Sequence, residues 1–139
     1  MVEVKGDTFT NVSDVLYAYL TKSASVNNAY ELAPYLMEHL SKWFNLKDVT
    51  GMQAIANDNG YFKKWPVRHN YPDMNKVTVE QVIWSGDTCY LVALPYEWSV
   101  ENTRTQKSGK TIAVAFVTPG KHRNNGQSDY FIAALWNEN

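Results

Sequence analysis

A single cysteine, Cys89, is all the thiol chemistry this chain carries. It has no partner, so an internal disulfide is excluded and a reducing compartment is favoured. Charge of one sign is also lacking: 13 basic residues against 14 acidic ones leave a formal net charge of −1, too little to gather nucleic acid or an anionic membrane by long-range attraction. No window approaches the roughly 18 unbroken apolar residues of a membrane span. The amino terminus, MVEVKGDTF, has no charged lead followed by an apolar core, which argues against a secretory signal. A soluble, cytoplasmic protein without membrane or nucleic-acid partners is expected, with a secreted form whose signal has been removed as the alternative.

Internal repeats, low-complexity tracts and linkers are absent as well. The 139 residues, 45% hydrophobic, suffice for one domain (1–139) whose core needs neither metal nor disulfide. What the chain has in excess is aromatic surface, including five Trp and nine Tyr. Such rings suit places that must be apolar and also hydrogen-bond, namely ligand pockets and subunit contacts.

Four segments rich in β-branched and aromatic residues follow one another from Val77 to Trp84, Thr88 to Val100, Lys110 to Thr118 and Asp129 to Asn137. Each is bounded by turn residues, which predicts an antiparallel meander. Ser85, Gly86 and Asp87 supply a tight hairpin, whereas Asn102 to Gly109 and Pro119 to Ser128 are longer connections at opposite ends of the sheet. The basic residues Arg104, Lys107 and Lys110 are therefore separated from Lys121, His122 and Arg123, a second argument against a nucleic-acid footprint. A sheet with one wet face alternates apolar and polar residues, yet Tyr90 to Leu94, Ile112 to Val117 and Tyr130 to Trp136 run almost unbroken. Both faces are expected to be covered, one by helices and one by a second subunit.

The helices come first. From Asn11 to about Ser23, Val12, Val15, Leu16, Tyr19 and Leu20 recur at helical spacing, with Asn11 or Ser13 as a cap. Asn11, Val12 and Ser13 also fit a glycosylation sequon, but the capping role needs no secretion. A second helical stripe, Tyr30, Ala33, Met37, Leu40 and Phe44, spans Asn28 to Phe44 and is broken or restarted at Pro34. Thr50 caps a third, short helix ending near Asn57, with Asn59 and Gly60 as its stop. Tyr61 to Lys76, with Pro66 and Pro72, reads as an ordered irregular loop.

Motifs that carry chemistry are sparse. Ser108, Gly109, Lys110 and Thr111 imitate the tail of a phosphate-binding loop, but Arg104 stands where its first glycine belongs and a strand follows, so a plain hairpin loop is preferred. His39, His69 and His122 lack metal-ligand spacing, and neither a metal nor another cofactor is expected. Cys89 could pair with His69 as a nucleophile, although a lone strand cysteine reads better as a small buried hydrophobe. Asp58, His69 and Asp73 are the titratable groups nearest the irregular loop, with Tyr19, Tyr61 and Tyr71 as donors. Asp58 reads first as a turn residue, Asp73 as a cap and His69 as a solvated loop residue.

The helix DVLYAYL, the helix TGMQAIA before an aromatic, proline-containing connection, and the strands VIWSGDTCYLVALPYEWSV, KTIAVAFVTPG and DYFIAALWN together resemble the nuclear transport factor 2-like superfamily, also described as SnoaL-like or ketosteroid-isomerase-like. The resemblance covers most of the chain and is one of architecture. It implies an α+β fold, with amino-terminal helices packed on a curved antiparallel sheet of at least four strands, an apolar cavity between them, and dimerisation through the outer sheet face. Isomerase members use a tyrosine of the first helix as oxyanion donor. Tyr19 occupies a comparable helix, but no acidic residue matches their base.

The resulting expectation is a small-molecule binding protein for a hydrophobic or aromatic ligand, its cavity lined by Tyr19, Trp65, His69, Tyr96 and Trp98. A homodimeric interaction domain is the second reading. An enzyme of the same fold, isomerase- or hydrolase-like, with His69 as base and Tyr19 as donor, is the third.

Overall fold

The computed structural model describes residues 6–84, 86–121 and 128–139. Among them, two α-helices, α1 (Gly6–Ser25) and α2 (Gly51–Lys64), precede or lie against a sheet of seven strands. The strands are β1 (His39–Trp43), β2 (Leu46–Thr50), β3 (Val67–Pro72), β4 (Thr78–Trp84), β5 (Asp87–Glu101), β6 (Gln106–Lys121) and β7 (Ser128–Glu138). Their order across the sheet is β2-β1-β7-β6-β5-β3, with β4 also on β5, and every pairing is antiparallel except β1 with β7.

The meander stands as expected, but its last three strands, β5, β6 and β7, are longer than their sequence signals. β5 and β6 pair from Tyr90 with Val117 out to Glu101 with Gln106, so Gln106 to Gly109, read as part of the connection, lie inside β6. The turn is shorter than anticipated because Asn102 closes it alone: its side chain accepts from the backbone N–H groups of Arg104 and Thr105. At the other hairpin, Trp84 pairs with Asp87 and Gly86 takes φ +83, a left-handed conformation that glycine adopts without a steric penalty. Lys121 is the last described residue of β6, and the basic residues His122 and Arg123 fall outside the described residues.

Length explains β3. β4 pairs with Asp87 to Ala93 only, which leaves the far half of the β5 edge open. Val67 to Pro72, expected as irregular loop, fills it from Tyr96 to Glu101. An unpaired edge exposes backbone donors and acceptors, and this segment satisfies them. Met74–Lys76 forms a short 3₁₀ turn before β4, capped as expected by Asp73, whose carboxylate accepts from the Asn75 N–H at 3.1 Å.

The second helical stripe does not survive folding. Only Ala29–Tyr35 coils, as a 3₁₀ helix containing Pro34 and capped by Asn28. Leu36 then bridges to Ile132, and His39–Trp43 runs as β1 alongside β7. Pairing with the β7 edge outcompetes a helix that proline has already interrupted.

Both α-helices are longer than their sequence signals. α1 already includes Gly6, the first described residue, so Asn11 lies within it and caps nothing; the additional turn packs Phe9 against the core. Its buried apolar residues, Val12, Leu16, Tyr19 and Leu20, follow the expected spacing. α2 has the expected Thr50 cap, completed by Gln53 into a reciprocal capping box. It does not stop at Asn59 and Gly60, because Asn59 is engaged elsewhere, accepting from the Ala29 N–H at 2.8 Å, and the next turn buries Phe62. Gly60 in mid-helix costs about 1 kcal/mol relative to alanine, which the burial of Phe62 offsets.

The core fills the space between the helices and one sheet face, with Leu16, Leu32, Leu40, Trp43, Val92, Leu94, Ile132 and Leu135 all but fully buried. On the other face, Trp84 stacks on Phe116 at 4.9 Å and Phe116 meets Trp136 at 5.7 Å, with the Lys42 ammonium 5.1 Å from the Trp136 ring. Cys89 is buried, as read from the sequence. No helix among the described residues is long and apolar enough to cross a membrane.

Candidate functional site

Where α1, α2 and the far halves of β3, β5 and β6 converge, the core gives way to a pocket of about 520 Å³. Its walls include Tyr19, Leu20 and Ser23 of α1, Asn57, Asp58, Tyr61 and Phe62 of α2, and Arg68 and Asn70 of β3. β5 adds Tyr96, Trp98 and Val100, β6 adds Thr111, β7 contributes Asn137, and Phe44 and Asn45 line it from the β1–β2 turn. Strand alternation accounts for the choice: even-numbered residues at this end of β3 and β5 face inward, odd-numbered ones outward.

Asp58 is the chemical centre of this wall. It is only 5% exposed, and both carboxylate oxygens are held. The Tyr19 hydroxyl donates to Oδ2 at 2.7 Å, and the Trp43 indole N–H donates to Oδ1 at 3.1 Å. Tyr19 and Trp43 also meet edge to face, their rings 5.4 Å apart. Burial raises the Asp58 pKa from 3.8 to about 6, while the two hydrogen bonds and the nearby Arg68 charge pull it back. Tyr19 is pushed well above the ordinary tyrosine value by burial first and by the Asp58 charge second, so it stays a neutral donor.

Arg68 forms the opposite corner. Its Nε donates to the Ser23 carbonyl at 3.0 Å, one Nη to the Trp65 carbonyl at 2.8 Å, and the other Nη to the Val26 carbonyl. The guanidinium lies 3.8 Å above the centre of the Phe62 ring. Two of those carbonyls close the C-terminal end of α1, where unsatisfied acceptors and the helix dipole both favour a cation. Asn70 adds a bond to the Leu20 carbonyl at 2.8 Å.

The far wall is aromatic. Tyr96 donates its hydroxyl to Asn137 Oδ1 at 3.0 Å, and burial pushes its pKa up to about 12. Trp98 pairs with Gly109 across the β5–β6 ladder and lies directly over it; a Cβ there would come within 2.9 Å of the indole. Glycine is what lets the ring lie flat against the sheet.

Of the five residues expected to line the cavity, Tyr19, Tyr96 and Trp98 do so, and His69 and Trp65 do not. His69 is exposed on the outward face of β3, its ring 6.1 Å from that of Tyr71 and nearly parallel to it, so it cannot serve as base in this pocket. A loop would have left its direction free, whereas the strand fixes it outward. Trp65 is buried beyond the end of α2, with the Lys64 and Lys107 ammonium groups over its ring. Asp58, read as a turn residue, is instead one helical turn before Phe62 on the buried side of α2. The Tyr19 that the sequence offered as a donor is already committed to it. Arg68 carried no sequence signal apart from its alternation with Val67 and His69. Among the described residues, no three His, Cys, Asp or Glu side chains cluster as metal ligands.

No family model and no curated protein matches the sequence. Solved structures do match. Aln2 from a Streptomyces species superposes with a TM-score of 0.68 at 12% identity, covering 99% of this chain and 94% of that one. A protein of Novosphingobium aromaticivorans provisionally named a scytalone dehydratase gives 0.62 at 14% identity, covering 93% and 81%. ActVI-ORFA from Streptomyces coelicolor gives 0.62 at 10% identity, covering 96% and 95%. At these identities the likeness is one of fold, and the chain has the α+β nuclear transport factor 2-like fold.

Proposed function

We propose that this protein binds a small aromatic molecule in the pocket between α1, α2 and the sheet. The observation that carries the reading is the division of the walls. Phe44, Phe62, Tyr96 and Trp98 offer ring surface, while Asp58, Arg68, Asn70 and Asn137 are polar groups fixed by hydrogen bonds or burial. A cavity of about 520 Å³ lies within the size range of ligand sites, in which apolar area supplies affinity and a few oriented polar groups supply orientation. Titration calorimetry with a panel of hydroxylated naphthalenes tests it. Saturable binding that Trp98→Ala weakens supports the reading, and a panel that gives no heat with the wild type overturns it.

A second reading, acid–base catalysis in the same pocket, is favoured by Asp58 specifically. A buried carboxylate with a pKa of about 6 is a stronger base than a solvated one and still ionised at neutral pH. Each oxygen keeps a lone pair beyond the one used by Tyr19 or Trp43, so Asp58 can accept a proton from a carbon or oxygen acid. The provisional dehydratase name of one fold neighbour belongs to the same class of proton transfer. Turnover of a hydroxylated substrate lost in Asp58→Asn, with binding retained, separates this reading from binding alone.

The outer sheet face supports a homodimer as part of the proposal. Trp84, Phe116 and Trp136 form a continuous row of rings there, an arrangement enriched in subunit contacts.

A further inference from the structure

Arg68 is a buried cation without a carboxylate partner. It is 8% exposed, its three hydrogen bonds all go to backbone carbonyls, and no ion pair forms to it among the described residues. Burying a charge without an opposite charge is costly, and neutral carbonyls compensate only in part. Asp58, the other formally charged side chain of the pocket, is not in contact with Arg68; it is engaged by Tyr19 and Trp43 and influences the guanidinium only through space.

We propose that the pocket's ligand carries an ionised acidic group, a carboxylate or phenolate, and that Arg68 is its counter-ion. This rests on the reading of the pocket as a ligand site. The guanidinium is held by α1, Trp65 and the Phe62 ring, so its orientation is set before the ligand arrives. Its remaining N–H groups provide charge-assisted donors without further loss of side-chain freedom. The aromatic body of the ligand then lies toward Tyr96 and Trp98, with Asn70 beside the anion on the same strand face.

The experiment compares 2-naphthoate with 2-naphthamide, nearly equal in shape and different in charge, by calorimetry on the intact protein at pH 8. Naphthoate binding about tenfold tighter than the amide, an advantage that shrinks in 0.5 M salt, is the expected result. Arg68→Gln abolishes the preference and Arg68→Lys keeps part of it. Should Arg68→Gln fail to fold, the wild-type comparison and Arg68→Lys decide. Equal affinities, or tighter binding of the amide, overturn the anion site while leaving the pocket reading intact. Silence from both compounds overturns the anion site and weighs against the pocket itself.

Discussion

Tyr19 and Asp58, 39 residues apart in sequence, share a hydrogen bond of 2.7 Å that ties α1 to α2 inside the protein. The Trp43 indole, on β1, holds the other carboxylate oxygen. One buried acid therefore joins two helices and the sheet, and its titration is felt by all three.

Burial gives that acid a sign opposite to that of a surface carboxylate. In the unfolded chain Asp58 titrates near 3.8; folded, it titrates near 6. Between these values the native state holds more protons, so stability falls as pH rises from about 4 to about 6 and is independent of this group above that. The span corresponds to about 3 kcal/mol. Thermal melts across this range should show the decline in the wild type and lose it in Asp58→Asn. A variant that melts with the same pH slope as the wild type would contradict the assignment.

Tyr19→Phe removes a donor that lowers the Asp58 pKa while leaving the ring in place. The carboxyl is expected to titrate above 6, followed by its carbon resonance in NMR. Stability at pH 7 should fall by about 1.5–3 kcal/mol, the range for a hydrogen bond to a charged group. An unmoved titration midpoint would mean that the hydroxyl does not bond Asp58 in solution.

Gly109→Ala tests the aromatic wall from behind. The new methyl would meet the Trp98 ring at 2.9 Å, so the indole must tilt off the sheet into the pocket. Weakened aromatic binding with a shifted tryptophan emission is expected, whereas a variant that binds normally would show that Trp98 has no part in the site.

On the outer face, Trp136→Glu places a charge in the row of rings through Phe116 and Trp84. The wild type should sediment as a dimer and the variant as a monomer with unchanged circular dichroism. A monomeric wild type would remove the dimer from the account.

Legibility in the sequence followed the range of the interactions involved. β4 to β7 and the apolar stripe of α1 were readable because side-chain periodicity is local. β1 and β3 were not, since each covers an edge remote in sequence: β7 for His39–Trp43, which is also hairpin-paired with β2, and the far half of β5 for Val67–Pro72. The site depended on those two strands. Once Val67–Pro72 is extended, strand alternation turns Arg68 and Asn70 inward and His69 outward, reversing the reading of a loop histidine as base. Asp58 was obscured by Asn59 and Gly60, whose stop signal was overridden by the burial of Phe62 one turn later. Tyr96 and Trp98, on a strand whose pattern was plain, border the pocket as expected of their inward face.

The central claim, that ligand enters between the Asp58 wall and the Trp98 wall, is tested most directly by amide and indole NMR shifts during titration with 2-naphthol. Shifts concentrated at Tyr19, Asp58, Arg68, Tyr96 and Trp98, saturating together, are the predicted result. Shifts confined to His69, Tyr71 and the outer sheet face, or none at all, would contradict it.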